Sequence, residues 1–122
     1  MTETANHAKS TAKAIVLSYL DSLNKEDFDA AKLLLTDDIN FKGVLGTREG
    51  AEAYMQDMRK MKMKYAIQKV FADGDDVCLF YDITQGGVTF FSAGWYKVAG
   101  DRIKSFRVIF DPRPVLEAAG KK

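Results

Sequence analysis

Residues 77–114 constrain the fold more than any other part of the chain. They divide into VCLFYDIT, QGG, VTFFSAGWYKV, AGD and RIKSFRVIFDPRP. Runs rich in β-branched and aromatic residues, separated by short Gly-bearing turns, read as antiparallel strands in a meander. Paired positions in an antiparallel hairpin sum to a constant, and side chains alternate between faces. Pairing Thr84 with Thr89 sets Asp82 opposite Phe91, Phe80 opposite Ala93 and Cys78 opposite Trp95. Pairing Ala99 with Arg102 sets Trp95 opposite Phe106, Ala93 opposite Val108 and Phe91 opposite Phe110.

The two hairpins then share one face: Cys78, Phe80, Asp82, Thr84, Thr89, Phe91, Ala93, Trp95, Phe106, Val108 and Phe110. It is aromatic, carries a single carboxylate, and is expected to look inward. The other face holds Val77, Leu79, Tyr81, Ile83, Phe90, Ser92, Gly94, Tyr96, Ile103, Ser105, Arg107, Ile109 and Asp111. That face is too apolar to lie in water, whereas a half-solvated sheet shows polar residues outward. Something is expected to cover it, and a second copy of the chain is the simplest candidate.

The rest of the chain supplies helices. From residue 8 to residue 23 the apolar positions Ala12, Ile15, Val16, Tyr19, Leu20 and Leu23 recur at helical spacing. A shorter helix is expected over 26–35, with Phe28, Ala31, Leu34 and Leu35 inward, then a short strand over 39–44. Thr47 reads as the N-cap of a third helix over 48–62, whose stripe is Ala51, Tyr54, Met55, Met58 and Met61. A strand over 64–72 turns at Asp73-Gly74-Asp75-Asp76 into the meander. Its pairing places Tyr65, Ile67, Lys69 and Phe71 on the Asp82 face, with Lys69 the misfit unless a bulge rotates it away. Pro112 and Pro114 end the last strand. The expected organisation is a tail over 1–7, one domain over 8–114 and a frayed tail over 115–122.

The chain of 122 residues suffices for one hydrophobic core. A net charge of +1 provides no field to draw in nucleic acid or an anionic membrane. Cys78 is the only cysteine, so no internal disulfide forms. The N-terminal stretch has no apolar run of the signal-peptide type, and no segment approaches the roughly 18 apolar residues of a membrane span. These features predict a soluble, cytoplasmic protein.

Helices packed on one face of a bent antiparallel sheet make an α+β fold. The segments AIVLSYLDSLNKEDFDAAKLLLTDDINFKG, GTREGAEAYMQDM, VFADGDDVCLFYDIT and GWYKVAGDRIKSFRVIFDPRP, in that order, resemble the SnoaL-like group of the nuclear transport factor 2-like (NTF2-like) superfamily over residues 10–114. The resemblance implies a cone of three N-terminal helices on a strongly curved, mostly antiparallel sheet, with a cavity at its wide end. It also implies distant similarity to ketosteroid isomerases. Tyr19 falls where that family keeps its oxyanion-hole tyrosine. The position of its general base falls near Gly43, and that of its protonated aspartate near Ala93, so neither group is present. Epoxide hydrolases of this fold imply an Asp-Arg-Asp cluster, yet only Asp82 is expected inside, with Arg107 and Asp111 outside.

Asp82 among Phe80, Phe91 and Ile67 is the candidate acid or base, its pKa expected to rise by desolvation. Tyr19 is the candidate oxyanion donor. Tyr54, Tyr65, Phe80, Phe91, Trp95, Phe106 and Phe110 are the candidate ligand-binding walls. No His/Cys cluster stands at metal-ligand spacing, since His7 is the only histidine, so no metal or cofactor is expected. Cys78 lacks a basic partner and reads as a buried thiol. The sequence therefore points first to a domain binding a small, largely apolar molecule. Second comes a cyclase, isomerase or hydrolase using Asp82 and Tyr19. Third comes a protein-interaction module working through the outer sheet face, the face also expected to form a homodimer.

Overall fold

The structure, a computed structural model, describes residues 11–120. The order is α1 (Ala12–Asn24), α2 (Phe28–Leu33), β1 (Leu35–Gly43), β2 (Gly46–Glu49), α3 (Ala51–Met61), β3 (Lys64–Asp73), β4 (Asp76–Gln85), β5 (Val88–Ala99), β6 (Arg102–Phe110) and α4 (Arg113–Gly120). The strands form one curved, open sheet in the order β2-β1-β6-β5-β4-β3. All neighbours are antiparallel except β1 and β6. The expected 1–7 tail and the first residues of the expected first helix lie outside the described residues. No helix among the described residues is long and apolar enough to cross a membrane.

Helix α1 forms where its apolar stripe predicts. Thr11 caps it by accepting from the Ala14 N–H at 3.1 Å, and Ile15, Val16, Tyr19, Leu20 and Leu23 are buried. Each such side chain contributes about 1.5–3 kcal/mol by leaving water. Its last residue, Asn24, reaches β3. The Asn24 side-chain amide donates to the Tyr65 carbonyl at 2.9 Å, and its oxygen accepts from the Tyr65 N–H at 2.7 Å. Lys64 Nζ donates to the Asn24 carbonyl and to Glu26. The helix stop thus fixes where the long sheet begins.

The expected N-cap at Thr47 is corrected. Thr47 belongs to β2, which pairs with β1 through Lys42↔Thr47 and Gly43↔Gly46. Helix α3 starts later, after Gly50, whose φ of +94° suits glycine and whose N–H donates to the Ile39 carbonyl at 2.8 Å. At the other end, residues 113–120 form a helix where a frayed tail is expected, with Pro114 in its first turn.

The β4–β5 register is the expected one, from Thr84↔Thr89 to Cys78↔Trp95. The β5–β6 register is not. Ala99↔Arg102 and Val98↔Ile103 pair, but an irregularity at Lys97/Val98 then brings Lys97 opposite Ser105 and Tyr96 opposite Phe106. A bulge adds one residue to one strand and reverses the facing of everything beyond it. Phe106 and Val108 therefore join the Tyr96 face and not the Trp95 face. On β3 a second irregularity between Ile67 and Lys69 brings Tyr65 opposite Ile83, away from the Asp82 face.

The inward face is corrected accordingly. Helices cover Val77, Leu79, Tyr81, Ile83, Phe90, Tyr96, Val98, Ile103, Phe106 and Val108, all buried. The Asp82 face looks outward: Phe80 is 41% exposed, Phe91 60%, Trp95 47% and Phe71 54%. Cys78, expected buried, is exposed there too. Both faces are apolar, as the sequence indicates, but on β4 and β5 inside and outside are exchanged, whereas Tyr65, Phe106 and Val108 are inward as expected.

Candidate functional site

The buried face and α3 enclose an apolar cavity of about 170 Å³. Phe41 and Gly43 reach it from β1, Tyr54, Asp57 and Met61 from α3, and Met63 and Tyr65 from the entry to β3. Ile83, Phe90, Val108 and Phe110 come from the central strands, and Val115 closes one side from α4. Val44, Leu45 and Arg48 lie around the β1–β2 turn, and the exposure of Val44 and Leu45 marks the rim. The capacity is of the order of the roughly 150 Å³ at which an apolar protein cavity takes up benzene.

Aromatic contacts fix the walls. Phe41 packs 4.9 Å from Tyr54 and 5.0 Å from Phe106, and Phe90 lies 4.8 Å from Phe110 between ring centres. Phe106 stacks on Tyr96 at 4.9 Å and forms a layer behind Phe41 and Tyr54. At Gly43, in the wall, a Cβ would stand 2.7 Å from Phe41 Cζ, so a side chain there requires the Phe41 ring to move. The ring occupies the space that a catalytic carboxylate at this position would need.

All five tyrosines are buried. Burial pushes the phenols of Tyr19, Tyr54, Tyr65, Tyr81 and Tyr96 above their ordinary value, so each stays neutral and able to donate. Tyr81 and Tyr96 satisfy each other across 2.7 Å. Tyr65 Oη contacts Met63 Sδ at 3.8 Å. Tyr54 is close enough to influence the ionisation of Tyr19, yet no hydrogen bond of ordinary geometry satisfies the Tyr19 hydroxyl. Tyr19 lies beneath the cavity, against Tyr96 and Phe106, and is not one of its walls.

The polar groups of the rim are Arg48 and Asp57. Arg48 Nε donates to Asp57 Oδ2 at 2.7 Å and Nη2 to Oδ1 at 3.0 Å. This fork lowers the Asp57 pKa and raises that of Arg48.

Of the sequence candidates, Tyr54, Tyr65 and Phe110 stand in the cavity wall and Phe106 directly behind it. Asp82, Phe80, Phe91 and Trp95 do not reach the cavity, because their strand positions face out. Asp82 is held there by Gln68 Nε2 at 3.0 Å, Trp95 Nε1 donates to Asp76 at 2.9 Å, and Phe80 stacks on Phe91. Ala93, opposite Phe80, also lies on the outer face. Asp82 and Tyr19 are thus on opposite sides of the sheet. The sequence reading misses Phe41, Arg48, Asp57, Met63, Phe90, Val108 and Val115.

Helices on one side of an open, curved six-stranded sheet, with a cavity beneath it, define the nuclear transport factor 2-like class of α+β proteins. Within that class the chain belongs to the SnoaL-like domain family, which it matches over residues 16–106. A nuclear transport factor 2-like protein of unknown function from Cytophaga hutchinsonii is 47% identical, the match covering 88% of this chain and 96% of that one, with a TM-score of 0.86. An LEH-like epoxide hydrolase from M. tuberculosis is 24% identical over 91% of this chain and 96% of its own, with a TM-score of 0.76. A protein described as a ketosteroid isomerase from Kribbella flavida is 16% identical over 93% and 92%, with a TM-score of 0.76. At those two identities the likeness shows the fold alone. Among curated protein sequences none matches.

Proposed function

We propose that this chain binds a small, largely apolar molecule in the cavity bounded by Phe41, Tyr54, Tyr65, Phe90, Val108 and Phe110. The carrying observation is the cavity itself: about 170 Å³ of space walled by aromatic and aliphatic side chains in an otherwise packed core. Related structures include proteins described as a hydrolase and an isomerase, but a catalytic reading that pairs Asp82 with Tyr19 is at odds with their placement on opposite sides of the sheet. Titration with toluene, followed by amide NMR, tests the binding reading. Saturable shifts at Tyr54, Tyr65 and Val108, with none at Phe80 or Phe91, are expected. No saturable shift at the cavity residues would refute it.

The outward sheet face supports a second assignment, to another copy of this chain. Phe71, Phe80, Phe91, Trp95 and Ile109 expose aromatic and aliphatic surface across β3 to β6. Lys69 and Arg107 share that face with Asp82, so it offers charges of both signs to a second copy. Sedimentation equilibrium at micromolar concentration should give a dimer that Phe91→Glu dissociates. A monomeric wild-type protein would remove this assignment and leave the cavity reading intact.

A further inference from the structure

The rim of the cavity carries a recognition element of its own. A guanidinium offers two forks of paired N–H groups, one along Nε and Nη2, the other along Nη1 and Nη2. In Arg48 the first fork holds both oxygens of Asp57. Asp57 is its only hydrogen-bond partner among the described residues, so the second fork is free. The side chain is half exposed and lines the cavity. Asp57 therefore orients the guanidinium and leaves one bidentate edge available beside an apolar hollow. Lys60, on the same helix as Asp57, adds a weaker pull on that carboxylate from outside the cavity lining.

We propose that Arg48 anchors the head group of the ligand, and that the ligand is a small apolar carboxylate. Its ring or branched chain fills the cavity, and its carboxylate lies on the Nη1–Nη2 edge. A planar carboxylate matches that edge in geometry and charge, and two parallel charge-assisted hydrogen bonds are the strong case for such contacts. The cavity volume limits the apolar part to about one six-membered ring. The inference rests on the cavity reading above and adds the chemical class of what enters.

The test compares benzoate with benzamide, which has the same ring and a planar but uncharged head, by calorimetry and amide NMR. Wild-type protein should bind benzoate about ten- to a hundredfold tighter than benzamide. Arg48→Gln should reduce benzoate to the benzamide level while leaving benzamide unchanged, and Arg48→Lys should restore part of the difference. The pair is exposed, so these variants should retain the wild-type amide spectrum away from β2 and α3. Equal binding of the two compounds by wild type would overturn the carboxylate assignment and leave the cavity reading standing. A benzoate preference that survives Arg48→Gln would overturn the role of Arg48. Binding of neither compound would overturn both readings.

Discussion

The Tyr81–Tyr96 hydroxyl pair lends itself to a quantitative test. Both residues are essentially inaccessible to water, and their oxygens stand 2.7 Å apart. Tyr81→Phe removes one hydroxyl and leaves the other buried beside a ring edge. The lost hydrogen bond and the unsatisfied group together should cost about 1–3 kcal/mol. Tyr96→Phe should cost a similar amount. The double variant leaves nothing unsatisfied and should cost less than the two single changes summed, with about 1–2 kcal/mol of coupling. For a chain of this size each kcal/mol moves the midpoint by about 3–6 °C. Urea unfolding followed by far-UV circular dichroism, fitted with a common m-value, would read all four proteins. Additive single and double costs would refute the reasoning, since they would show that neither hydroxyl depends on the other.

Three further outcomes follow from the same geometry. Gly94→Ala should destabilise by about 1–3 kcal/mol in urea, because the new Cβ would stand 2.3 Å from Tyr81 Oη; a neutral change would show that the pair moves freely. Tyr19→Phe removes a buried hydroxyl that makes no hydrogen bond of ordinary geometry, although the Tyr54 phenol acts on it, and should be neutral or raise stability by up to about 1 kcal/mol; a loss above about 1 kcal/mol would mean that Tyr54 bonds it. Hydrogen bonding from the Arg113 side chain and N–H holds the Asp111 carboxyl at about 2, below its unperturbed 3.8. Its folded pKa is depressed, so its contribution to stability is present above the unfolded pKa and is lost as pH falls toward 2. Carboxyl NMR titration should find that midpoint, and Arg113→Ala should raise it part of the way back; a wild-type midpoint near the unperturbed value would contradict the ion pair.

What the sequence makes legible depends on whether a local signal exists. The stripe of α1 and the Thr84↔Thr89 hairpin follow from spacing and from a Gly-Gly turn, and both stand as expected. The irregularity near Lys97 has no comparable signal, because Lys104 and its neighbours suit a regular strand equally well. That single residue decides which β5 side chains Phe106 and Val108 accompany: they remain inward but share their face with Tyr96 and not with Trp95, so the inward face of β4 and β5 is the other one. Composition offered no correction, since both faces are rich in aromatic residues. The candidate site suffered in proportion. Tyr54, Tyr65 and Phe110 stand at the cavity, whereas Asp82, Phe80, Phe91 and Trp95 face the opposite side. Arg48 was hidden for a different reason: four exposed residues make a strand only because β1 lies beside them, and that is a tertiary fact.

The bridge from Asn24 to Tyr65 has a consequence for association. β3 is the last strand of the sheet, so the N–H and C=O of Tyr65 that turn away from β4 belong to an open edge. The Asn24 side-chain amide presents one donor and one acceptor to those two groups, as a neighbouring peptide unit would. A single side chain thus stands in for the missing seventh strand at the point where another chain would begin to add. Farther along the same edge, the irregularity around Gln68 and the charge of Lys69 discourage a flat partner. The residue that ends the first helix thus also occupies the start of one of the two open edges of the sheet.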